Sequence, residues 1–105
     1  MSNPQTVVGS VVGTGAIMNI IIGFTPDYVE LVNTTDGDAV EKWYRGMAAN
    51  TSINAGGAAP VTRAAPNGIN AYEGPLGSGF TISAALAENT KTLRYLAIRS
   101  GPGAN

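Results

Sequence analysis

The chain has no cysteine and no histidine, and only 12% of its residues are charged. Without cysteine there is no disulfide, no thiolate nucleophile and no sulfur ligand for a metal. Without histidine, the side chain that titrates near neutrality and serves as the commonest metal ligand is missing. Six Lys and Arg stand against seven Asp and Glu, a formal net charge of -1. No basic cluster exists to release counterions from nucleic acid or to hold an anionic membrane, so neither is an expected partner. Long apolar runs are also missing. Ala16-Ile17-Met18 is broken by Asn19 before Ile20-Ile21-Ile22, far short of the roughly 20 residues a membrane span takes. Residues 1–6 carry no basic residue ahead of an apolar core, so the expectation is a soluble protein without a signal peptide, made in the cytoplasm.

The missing charge is replaced by Gly, Ala, Asn, Thr and Ser. Ordinary soluble domains are about 25% charged, yet here the mean hydropathy is only +0.08. At 105 residues the chain forms one domain. A domain of this size buries about 65% of its unfolded surface, which leaves an exterior that is largely neutral and small-sided. Little charge repulsion keeps such an exterior from its neighbours, and it reads as a chain made to be assembled. The competing reading is a monomer with a plain surface.

Gly and Pro recur about every eight to twelve residues, the rhythm of short strands in an all-β fold. Residues 6–12 are β-branched and Gly-interrupted, an edge strand or an extended arm. Residues 17–22 read as a buried strand, and Gly23-Phe24-Thr25-Pro26-Asp27 as a corner, because Pro26 cannot donate to a ladder. Residues 28–33 and 39–45 form the clearest hairpin around Asn33-Thr34-Thr35-Asp36-Gly37-Asp38, where Gly37 supplies positive φ. In the second of these strands Val40, Lys42 and Tyr44 share one face, and Glu41, Trp43 and Arg45 the other.

Residues 46–68 form a long Ala, Asn and Gly rich region with short strands at 51–53 and 61–63. A loop of such length is functional or an assembly element. Asn67-Gly68 is a turn before a strand at 69–73, and residues 74–79 are a loop. Residues 80–87 alternate with Phe80, Ile82, Ala84 and Leu86 inward, although 84–91 also favours helix. The last strand, 92–100, sets Leu93, Tyr95 and Ala97 on one side. Eight or nine such strands give an antiparallel β-sandwich, with a jelly roll as one form. It divides into an N-terminal arm or edge strand at 1–16 and a sandwich domain at 17–105. The expected core includes Phe24, Trp43, Phe80 and Ile82.

No arrangement carries catalysis. Gly9, Gly13 and Gly15 run in the wrong order for a dinucleotide fingerprint, and no Gly-Lys-Ser or Gly-Lys-Thr follows to make a phosphate loop. Asp36, Asp38 and Glu41 offer oxygen ligands without a calcium-loop pattern, and read as a solvated hairpin tip. Asp27, Glu30 and Glu73 supply carboxylates that any chain with seven acids has, too weak a signal for glycoside cleavage. Asn33-Thr34-Thr35 and Asn50-Thr51-Ser52 match the N-glycosylation pattern, which matters only in a eukaryotic secretory setting. Tyr28, Trp43, Tyr44 and Tyr72 are candidates for a sugar-stacking platform, with core packing the stronger role for Trp43. No catalytic residue, cofactor, metal or small-molecule substrate is assigned.

Four stretches in order carry a resemblance: Gly23-Phe24-Thr25-Pro26-Asp27-Tyr28-Val29-Glu30-Leu31-Val32-Asn33, Trp43-Tyr44-Arg45-Gly46-Met47, Gly68-Ile69 and Gly79-Phe80-Thr81-Ile82. Together they resemble the small head-decoration, or cement, proteins of tailed bacteriophages, over residues 17–99. The resemblance implies a non-enzymatic β-sandwich on the outside of a capsid, bound to the major capsid protein and associated with itself as a homotrimer. Related modules occur in tail fibres, so the alternative is a receptor- or carbohydrate-binding module. The uncharged arm, with Val7, Val8, Val11 and Val12, is the expected contact with the shell or a neighbouring subunit.

Overall fold

Period-two alternation decides this fold, since it gives each strand one apolar face that must be covered. The computed structural model describes residues 5–37, 40–55 and 61–100. Nine strands run β1 (Gln5–Val12), β2 (Met18–Ile21), β3 (Tyr28–Asn33), β4 (Val40–Tyr44), β5 (Ser52–Asn54), β6 (Val61–Arg63), β7 (Ile69–Gly74), β8 (Gly77–Ile82) and β9 (Thr92–Arg99). No helix occurs among the described residues. The strands form two antiparallel sheets, one of six in the order β1-β9-β3-β4-β5-β6 and one of three in the order β2-β8-β7. The fold is therefore an all-β sandwich. Its chain ends are nested, with β1 on β9 and β2 on β8, while β3 to β6 run as a meander.

In β1, β3, β4 and β9 the odd-numbered residues face inward. Val29, Leu31, Trp43, Leu93 and Ala97 come from the large sheet, and Ile20, Ile69, Phe80 and Ile82 from the small one. Phe24, at the corner before β3, completes the contact. The rings of Phe80 and Tyr95 meet edge to face at 5.3 Å, which joins the two layers. Where the sheets meet at one side, Thr51 bridges to Ile69. A Cβ on Gly68 would lie 2.3 Å from the Thr51 carbonyl carbon, so only glycine lets the two backbones come this close.

The hairpin from β3 to β4 turns at Gly37 with φ 72°. Ala39 and Asp38 lie outside the described residues, as do residues 1–4, 56–60 and 101–105. Residues 6–12, read as edge strand or arm, are an edge strand, paired along their length with β9.

Three expectations are corrected. Residues 17–22 are not a strand buried on both faces: Ile20 is in the core, but Ile17 and Ile21 are exposed. A three-stranded sheet has cover on one face only, and alternation sends Asn19 and Ile21 to the other. The loop at 74–79 is shorter than expected. Gly74 pairs with Gly77, so Pro75 and Leu76 alone turn the β7–β8 hairpin. The strand at 80–87 stops at Ile82. Ser83 ends it, because its carbonyl accepts from Leu86 and Ala87 and its hydroxyl donates to the Asn67 carbonyl at 2.7 Å. One turn follows that buries Leu86 and leaves Ala84 exposed rather than inward. The helix at 84–91 does not form.

Candidate contact surface

The outer face of the six-stranded sheet spans six strands, against three in the other sheet. Register places Thr6, Ile98, Tyr28 and Tyr44 in one cross-strand row, and Val8, Leu96, Glu30, Lys42 and Ile53 in the next. Most of these are apolar or aromatic; Thr6, Val8 and Tyr44 are exposed and the others half-buried. Tyr28 and Tyr44 sit with ring centroids 4.9 Å apart. The Tyr28 hydroxyl donates to Glu30 at 3.3 Å. Partial burial, together with the negative Glu30 beside it, pushes its pKa up to about 12.

β1 closes one side of this face. The four valines expected to make contact are split by alternation. Val7 and Val11 are half-buried and pack against the core. Val8 and Val12 point outward and are 77% and 58% exposed.

The opposite side of the sheet is polar inside. Glu41 lies on the Trp43 face of β4 and is fully buried. Its Oε1 accepts from Arg63 Nε at 2.9 Å and from the Ser52 hydroxyl at 2.7 Å. Its Oε2 accepts from Arg63 Nη2 at 2.9 Å and from the Asn54 amide at 2.7 Å. The two-pronged Arg–carboxylate geometry, with both oxygens further satisfied, is what makes a buried charge tolerable. The bond to Glu41 also raises the pKa of Arg63 beyond its ordinary value. This arrangement contradicts the reading of Glu41 as part of a hairpin-tip oxygen cluster. Asp36 remains at that tip, held by Asn33 and by Lys91 Nζ at 3.1 Å. Asp38 is outside the described residues.

The other sequence candidates do not converge. Asp27 pairs with Arg45 and accepts the Ser100 N–H at 2.8 Å. Glu73 accepts the Thr25 hydroxyl at 2.7 Å, and Glu30 holds Tyr28. Each of the three carboxylates serves a different partner, and none shares a site. The four-aromatic platform reduces to Tyr28 and Tyr44, since Trp43 is buried and Tyr72 lies in the small sheet, its ring over Gly74. Among the described residues no group of three or more acidic side chains is placed to hold a metal ion.

The Glu41–Arg63 pair was missed by sequence reasoning. The signal for half of it is present, because alternation sets Glu41 beside Trp43. Its partner lies 22 residues further on, in a strand of three residues with no periodicity to read. Comparison with family models, curated proteins and solved structures finds no match for this chain.

Proposed function

We propose that this chain is a structural protein of a tailed bacteriophage, a decoration protein that binds the outside of the capsid and stabilises it. The observation that carries this reading is the outer face of the large sheet, with Val8 and Val12 exposed along its rim. A surface of Val, Leu, Ile and Tyr, with Glu30, Lys42 and Arg94 among them, suits contact with a repeated protein lattice. A chain that binds the assembled shell of major capsid protein, and not its free subunits, shifts the equilibrium toward the shell. Single contacts can be weak, because several linked copies raise avidity.

The test is co-sedimentation with heads of the phage that carries the gene, stripped of this protein. Saturable binding is expected, together with a raised melting temperature of the decorated heads. Val8→Lys with Val12→Lys should lower occupancy. Absence of binding to intact heads overturns the reading.

One observation favours a fibre module: the Tyr28–Tyr44 pair beside Glu30 and Lys42 has the ingredients of a sugar platform. Glycan binding by the isolated protein that is lost in Tyr44→Ala, without head binding, would establish that reading instead.

A further inference from the structure

We propose that β1 is a self-complementary edge: two copies of this chain pair their β1 strands antiparallel, across a two-fold axis at Ser10, and join two six-stranded sheets into one. The inference does not rest on the capsid role, but it sets a two-fold pair in place of the trimer that the resemblance implies.

Hydrogen bonds fix which backbone groups of β1 are free. The carbonyls of Ile98 and Thr92 accept from Asp27 at 2.7 Å and Thr34 at 3.0 Å, on the β3 side of β9. Backbone groups alternate sides along a strand, so the even residues of β9 serve β3 and the odd ones serve β1. Through the register, Val7, Gly9 and Val11 are bonded to β9. Gly13 agrees, since its N–H donates to Lys91 at 2.9 Å and its carbonyl accepts from Thr90 at 2.9 Å. Thr6, Val8, Ser10 and Val12 therefore turn their N–H and C=O groups to the open edge, and their side chains are the exposed ones.

An edge of this kind is usually guarded by shortness, Lys, Pro or a bulge. β1 has none of these. It is eight residues long, uncharged, and in unbroken register with β9.

Three features select a second copy as the occupant. Only a register that sets even residues opposite even residues matches free groups with free groups, and two identical β1 strands supply it. With Ser10 opposite Ser10, Val8 falls opposite Val12 at both ends, so the exposed valines cover one another as β-branched cross-strand pairs. The strand carries no charge, so a two-fold axis brings no like charges together. About six backbone hydrogen bonds follow from the three bonded pairs.

The absence of cysteine makes a site-directed test clean. Ser10→Cys should form a covalent dimer on mild oxidation, because opposed residues lie about 5.5 Å apart at Cα, within disulfide reach. Val8→Cys and Val12→Cys should not dimerise separately, since each would sit about 13 Å from its own copy, but a mixture of the two should cross-link. Ser10→Pro removes an N–H that faces the open edge and spares the β1–β9 ladder. It should leave the strand circular dichroism intact and abolish dimers in sedimentation. Sedimentation of the native chain as a monomer or a trimer overturns the proposal. So does cross-linking at Ser10→Cys no better than at Val8→Cys.

Discussion

The six-stranded sheet ends in two different ways, and the difference separates stability from association. At one side β6 is three residues long and is anchored inward, where Arg63 reaches the buried Glu41 across β5. At the other side β1 is eight residues long and uncharged, with hydrophobic contact through Val7 and Val11 alone on its inner face. The first edge is held by charge taken out of water and offers little to a neighbour. The second is held by a ladder and two valines, and leaves a row of backbone groups unoccupied. Substitutions at the β6 side should therefore act mainly on folding, and at β1 mainly on assembly.

The largest effect is expected at Glu41. Arg63→Ala leaves that carboxylate buried without a countercharge, a loss of about 3–5 kcal/mol in urea denaturation. The double replacement Glu41→Leu with Arg63→Met should lose less than Arg63→Ala alone, because a buried ion pair is often equalled by apolar residues of similar volume. If the double variant proves the worse, the polar end is stabilised by more than this pair.

A smaller loss, about 1–3 kcal/mol, is expected for Gly68→Ala. The added Cβ meets Thr51 backbone, which cannot swing aside as a side chain can. The melting temperature should fall by roughly 4–8 °C for each kcal/mol lost. An unchanged melting point would mean that the two sheets separate freely at that seam.

Alkaline titration gives a third measure, on the outer face between the two edges. Tyr28 has its folded pKa raised to about 12 from the ordinary 10.0. The folded state thus holds the phenol proton more tightly than the unfolded state. This contribution is complete below pH 10 and is lost as pH rises from 10 to 12. Phenolate absorbance should show a late step near pH 12, and Tyr28→Phe should remove it.

The smallest stability effect is expected at β1. Val8→Lys with Val12→Lys should change unfolding free energy by less than about 0.5 kcal/mol while abolishing the dimer band of Ser10→Cys. A large stability loss from this pair would erase the contrast between the two edges.

Much of this architecture can be read from residues alone. The 28–33 strand, the turn at Gly37 and the shared face of Leu93, Tyr95 and Ala97 follow from period two and turn chemistry, though which face turns inward does not. Partnership between strands is less legible. β1 pairs with β9 and β2 with β8, across most of the chain, and nothing local encodes which strand lies beside which. That is why Ile17 and Ile21, local members of an apolar run, read as buried. Val8 and Val12 show the reverse case. Their separation from Val7 and Val11 is present in the alternation, and becomes informative once β1 is known to be a strand with one covered face. Ser83 shows a third limit: a single hydroxyl that bonds the Asn67 carbonyl ends a pattern that would otherwise continue.

The register that opposes Gln5 to Arg99 has a practical consequence. A peptide joined ahead of the first of these residues and another joined after the second would depart from one corner, about 5 Å apart. A short linker between them would yield a circular permutant, reopened at Pro75-Leu76. In a pair of chains related by the axis at Ser10, these corners fall at opposite ends of the joined strands, so fused cargoes would be carried apart.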